Sequence, residues 1–176
     1  MRSVNLAILI CTLISIAPGI SAGQSTPDHI RAHPTIDKRS VTSETALAIA
    51  QVALNAGRKQ KTEVAVAIVD QAGILLVLLR SDYGTEQFVD GAMDKAWTAV
   101  NFKASTRELF ETIKENKEDN TQLPYARKSL FLMGGVPLKD GDRVVGGVGV
   151  AGFASGMADD EVAQQAANAF TELLKK

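Results

Sequence analysis

Residues 134–152, GGVPLKDGDRVVGGVGVAG, constrain the fold more than any other part of this chain. Val136, Pro137 and Leu138, and then the run 143–150, are rich in strand formers. Between them Lys139-Asp140-Gly141-Asp142 supplies turn chemistry, because Asp-Gly tolerates the positive φ of a tight hairpin. Pro137 has no N–H for a ladder, which puts its strand at a sheet edge or at the point of entry into the sheet. Gly146, Gly147, Gly149 and Gly152 leave the second strand almost bare, and a bare strand marks close approach by another backbone, a helix or a ligand. Within it Gly147-Val148-Gly149-Val150-Ala151-Gly152 matches the G-x-G-x-x-G dinucleotide fingerprint. That site needs a complete βαβ unit with an acidic residue ending its second strand. Only one helix fits before Lys176, and Glu172, at roughly the right spacing, falls inside it, so no nucleotide site is expected.

Residues 1–22 read as a secretory signal: Arg2 as basic start, an apolar run over 6–16, Pro18-Gly19, and Ile20-Ser21-Ala22 as cleavage site. The run is too short for a membrane span, so no stable membrane insertion is expected after cleavage, and the location implied is periplasmic or secreted. Residues 23–40 are polar, contain Pro27 and Pro34, and read as a flexible arm; residues 41–176 are then one domain. The arm holds His29 and His33, whose four-residue spacing suits metal ligands on a helix, but Pro34 interrupts it and a third ligand is lacking. Two solvated tail residues are the plainer reading. The single cysteine, Cys11, leaves with the signal, so no disulfide is expected. With 19 basic and 20 acidic side chains and a net charge of −1, the chain has no basic patch, which argues against a nucleic-acid partner.

Thr42 or Ser43 caps a helix to about Ala56, with Ala46, Leu47, Ala50, Ala53 and Leu54 as its apolar stripe and Gly57 as its stop. The runs 64–69 and 74–79 are apolar throughout and joined by Asp70-Gln71-Ala72-Gly73. They predict an antiparallel hairpin of central strands covered on both faces, with the Asp70 carboxylate serving the turn. A helix follows from Thr85 through Phe102, and Ser105 to Glu108 form a capping box for another. Residues 130–133 read as strand, and Asp159 or Asp160 caps a closing helix. The order α-ββ-αα-βββ-α defines an α+β single-domain sandwich, with about five mostly antiparallel strands flanked by helices.

From Val41 onward there is no histidine and no cysteine, which removes Ser-His-Asp and Cys-His catalysis and the preferred zinc and copper ligands. Asp70, Tyr83, Asp94, Lys95 and Tyr125 remain as acid–base equipment. Lys95 is by default solvated, and a perturbed role for it requires burial. Thr98 can simply satisfy the carbonyl one turn back, and Met93 and Trp97 suit a core as well as a ligand.

Asp94-Lys95-Ala96-Trp97-Thr98-Ala99, then Phe102 and Ser105-Thr106, then Gly134-Gly135-Val136-Pro137-Leu138 with Gly141, Val145-Gly146 and Gly149-Val150, carry a family resemblance. In this order, with Val69-Asp70, Gly73, Arg80 and Asp160-Glu161, they are similar to the GlcG/HbpS family, which includes the C-terminal domain of PduO-type proteins. The resemblance runs from about Val41 to Phe170. It implies a five-stranded antiparallel sheet flanked by helices, assembly into homo-oligomers, and a small-molecule ligand, haem in some members. It places the helix carrying Lys95, Thr98 and Phe102 at the ligand pocket, together with the Gly134-Gly135 turn; in the binding reading Lys95 pairs a ligand carboxylate, Thr98 hydrogen-bonds, and Met93, Trp97 and Phe102 supply apolar walls. Haem iron favours His, Met, Cys or Tyr. His29 and His33 in the arm and Met93, Met133, Met157, Tyr83 and Tyr125 in the domain are the residues of those types. The function expected is an exported binding protein for haem or a related planar acidic molecule, with no catalytic residues assigned. The alternatives are an enzyme or accessory protein for a small organic acid, using Lys95 and Asp70, and an oligomeric partner of a sensor system.

Overall fold

A computed structural model describes residues 38–116 and 128–175; the stretch expected to be a signal, most of the expected arm with His29 and His33, and Tyr125 lie outside the described residues. The hairpin read from the glycine-marked stretch is present. β3 (Gly135–Asp140) and β4 (Arg143–Ala151) pair antiparallel, and Gly141 takes φ +60° in the turn between them. β1 (Ala65–Asp70) and β2 (Leu75–Arg80) form the second hairpin. β1 joins β4 antiparallel, so the sheet order is β2-β1-β4-β3, and Pro137 lies in an edge strand.

α1 (Ser43–Lys59) and α4 (Gly156–Leu173) cover one face of this sheet, and α2 (Glu86–Phe102) the other, with α3 (Thr106–Glu115) beside α2. β1 shows why both faces are dry. Its residues alternate, Val66 and Ile68 toward α1 and α4, Ala65, Ala67 and Val69 toward α2, and all five are buried. On the α2 face the side chains are small, and β4 contributes none at Gly147 and Gly149. A Cβ at Gly147 would stand 2.6 Å from Val100 Cγ2 and 2.9 Å from the Ala96 carbonyl oxygen, and one at Gly149 would strike the Ala92 carbonyl. The bare strand is thus the surface on which the α2 backbone lies.

Four expectations are corrected. The sheet has four described strands, not five: residues 130–133 leave the ladder because the Leu130 N–H donates to Thr98 Oγ1 (2.9 Å) and Phe131 packs edge-on against Phe102 (5.4 Å), both on α2. β2 is an edge strand instead of a central one. Its side chains are half-buried or exposed, Leu75 at 43%, because nothing among the described residues pairs with its outer side. α1 runs through Gly57 to Lys59; Gly57 is helical and buried against Val64, whose methyl a Cβ would meet at 2.7 Å, and Lys61 takes the positive φ instead. Finally, Ser155 caps α4, accepting from the Met157 N–H at 3.3 Å, which frees Asp159 and Asp160 for buried ion pairs. The other caps stand as read. Thr42 accepts from the Thr45 N–H, and Ser105 and Glu108 form the reciprocal box.

Candidate ligand-binding cleft

Lys95 is half-way along α2, on the side facing the end of β4. Its ammonium is buried, 3% exposed for the residue, and donates to Asp159 Oδ2 at 2.7 Å and to the Val150 carbonyl at 2.9 Å. Asp159 Oδ1 accepts from the Phe153 N–H at 3.1 Å. Burial nevertheless holds the Asp159 carboxyl above its ordinary range, against the opposing pull of Lys95 and the Phe153 and Gly152 N–H groups. Gly134 makes this arrangement possible. It has φ +119°, and a Cβ there would lie 2.6 Å from the Val150 oxygen, 2.8 Å from Asp159 Cβ and 3.1 Å from Lys95 Nζ. The next residue of α4 repeats the device: Asp160 pairs with Arg107 of α3 at 2.8 Å, and burial raises its carboxyl too, opposed by Arg107 and the Gly134 N–H.

Above the Lys95–Asp159 pair opens a cleft of about 620 Å³. Ala151 and Gly152 lie at its base, and Phe88, Leu130, Leu132 and Phe153 supply apolar walls. Glu86, Asp90 and Asp94 line it along α2. Burial and then the neighbouring Asp90 charge raise the Asp94 carboxyl, while Lys128 lowers it.

Of the residues expected at the pocket, Lys95 lines this cleft and Gly134 packs against the ion pair beneath it. Thr98 is fully buried and ties two segments together, donating to the Asp94 carbonyl (2.7 Å) and accepting from the Leu130 N–H. Gly135 packs on the Lys95 carbonyl and donates its N–H to Thr106 Oγ1 at 2.8 Å. Met93 packs against the alanine-rich cluster under α2, Trp97 sits by Gly73 in the β1–β2 turn, and Phe102 meets Phe131; none of these three lines the cleft. Asp70 accepts from the Ala72 and Ile74 N–H groups, both at 2.8 Å, as a turn residue, and the acid that Lys95 meets is Asp159. Phe88, Leu130, Leu132, Phe153 and Asp159 were not legible as site residues. Only the i, i+4 repeat of Glu86, Asp90 and Asp94 left a trace in the sequence.

The donor set fits a planar apolar molecule better than it fits a metal centre. Among the described residues no His, Met, Cys or Tyr lines the cleft, and no group of three or more His, Cys, Asp or Glu is able to hold a metal ion. No described helix is long and apolar enough to cross a membrane.

An α+β sandwich in which a helix lies on a glycine-bared strand, with a buried lysine–aspartate pair beneath a half-apolar cleft, defines the class of protein. Residues 41–168 match the family described as haem degrading protein HbpS-like, and the chain belongs to that family. Among solved structures it is similar to a double mutant of HbpS from Streptomyces reticuli, with 35% identity and a TM-score of 0.72, covering 82% of this chain and 96% of that one. A PduOC–haem complex is 26% identical with a TM-score of 0.67, over 74% of this chain and 94% of that one. The ORFY protein of Klebsiella pneumoniae shares the fold at 24% identity and a TM-score of 0.72, over 79% of this chain and 96% of that one. No curated protein matches the chain at a significant level.

Proposed function

We propose that this protein binds haem or a closely related planar tetrapyrrole in the cleft between α2 and residues 130–132. The observation that carries this reading is a concave space of about 620 Å³ walled by Phe88, Leu130, Leu132 and Phe153, within the size range of small-molecule sites. The family's description and the haem bound in the PduOC structure support tetrapyrrole as the ligand class. When bound, haem would bring its own iron chemistry; this chain's cleft residues bind and orient the ring and exclude water from one of its faces. Lys95 is committed to Asp159, so it shapes the floor and does not act as a free cation for a ligand carboxylate. The signal-like residues 1–22 support export to the periplasm or beyond. The apolar edge strand β2 supports assembly with further copies.

Titrating haemin into the full chain tests the reading by absorbance. A saturable Soret shift is expected, weakened about tenfold by Leu132→Asp, which puts a charge on the apolar wall without disturbing the core. Absence of any saturable change, or identical titrations for both proteins, overturns it.

A further inference from the structure

Gly91 lies inside α2, at a position where glycine weakens a helix more than any residue except proline. The backbone does not call for it: positive φ among the described glycines is confined to Gly73, Gly134, Gly141 and Gly152. Packing calls for it only weakly. A Cβ at Gly91 would meet, among the described residues beyond its own turn of helix, only Ala151 Cβ, at 3.3 Å. The glycines that the fold itself requires are far tighter, with a Cβ 2.6 Å from Val100 Cγ2 at Gly147 and 2.7 Å from Val64 at Gly57. What sets Gly91 apart is that it lines the cleft. Gln87, Gly91 and Lys95 follow one another at four-residue spacing and all three line it, so they share the face of α2 that looks over Ala151, and Gly91 is the gap between two long side chains.

We propose that Gly91 is where the ligand lies on α2: its missing side chain keeps the cleft open down to the helix backbone, so that a flat ring reaches the peptide groups there and the floor at Ala151. This inference rests on the cleft being the tetrapyrrole site. A ring seated at Gly91 touches the helix at van der Waals distance and has the opposite wall of Leu130, Leu132 and Phe153 on its other side. A methyl group on residue 91 would stand between ring and helix, and because a rigid plane tilts as one body, contact would be lost well beyond the methyl itself. The glycine thus selects a thin, flat molecule, and the helix gives up some of its own stability to admit it.

The test titrates haemin into the full chain and into its Gly91→Ala and Gly156→Ala variants, following the Soret band, and measures the urea midpoint of each without ligand. Gly156 is the matched control: it is a helical glycine of α4 whose Cβ would meet Met133 Cβ at 3.4 Å, and it does not line the cleft. Gly91→Ala should bind haemin about tenfold less tightly, and Gly156→Ala within about twofold of the unaltered protein, as one extra carbon in a fitted pocket implies. The midpoint of Gly91→Ala should be equal or higher, since alanine favours the helix. Haemin binding unchanged in Gly91→Ala overturns the proposal and leaves the cleft reading standing. An equal loss in both variants, or a midpoint that falls together with affinity in Gly91→Ala, assigns the glycine to packing and overturns it as well. If the unaltered protein does not bind haemin, the cleft reading fails and this one with it.

Discussion

Lys95 and Asp159 are 64 positions apart in the chain and meet at 2.7 Å with both side chains almost wholly buried. A buried ion pair costs desolvation on both sides, so its net contribution is small, but breaking it leaves one charge alone in the interior. Asp159→Asn is therefore expected to destabilise the fold by about 3–5 kcal/mol, read as a lower denaturation midpoint, and Lys95→Met with Asp159→Leu should recover most of the loss. The acids raised by burial also set a pH dependence. Asp94, Asp159 and Asp160 bind protons more tightly folded than at their ordinary value of 3.8, so their contribution to stability is full below that value. It is lost as pH rises through the raised folded values. Asp94→Asn should flatten the fall in stability across that window, measured by urea midpoints at stepped pH. The sequence shows Lys95 as a lysine on a helix and no more, because burial is decided by whatever Gly134 and α4 bring to it. Asp70 was legible, since an aspartate at the end of a strand bonds to N–H groups within its own turn.

At the scale of elements, the contact between α2 and β4 decides the architecture. Gly149 leaves room for the Ala92 carbonyl, and Gly149→Val should lift the helix off the sheet and abolish cooperative thermal unfolding. Thr98 holds Leu130 to α2, accepting from its N–H while donating to the Asp94 carbonyl within the helix. Thr98→Val leaves the Leu130 N–H without its acceptor at similar side-chain volume, which should cost about 1–3 kcal/mol and weaken ligand binding through the loosened Leu130 wall. Here the sequence was a good guide to helices and hairpins, whose signals are local: the Ser105–Glu108 box, the Asp-Gly turn, the edge proline. It misread residues 130–133 because a short apolar run serves a strand or a segment packed on a helix equally well, and Thr98 and Phe102, far off in sequence, tip the choice.

For the whole molecule, the exposed β2 is the feature out of balance. Ile74, just before β2, and Leu75 at its start are 64% and 43% exposed, on an edge that no described residue pairs, an arrangement single-domain proteins avoid unless a neighbour covers it. Leu75→Lys should shift the protein to smaller species in light scattering while leaving the denaturation midpoint nearly unchanged. Hydrophobic period, glycine placement and turn chemistry, all properties of neighbours along the chain, were enough to determine the α+β class, the two hairpins, the helix that lies on the bare strand, and the absence of histidine and cysteine chemistry in the domain. Which strand became an edge, which lysine lost its water, and which apolar residues came to face a cleft depended on pairings across 30 to 100 positions. Burial and electrostatics are sums over everything nearby in space, and proximity of that kind exists only once the layers have closed.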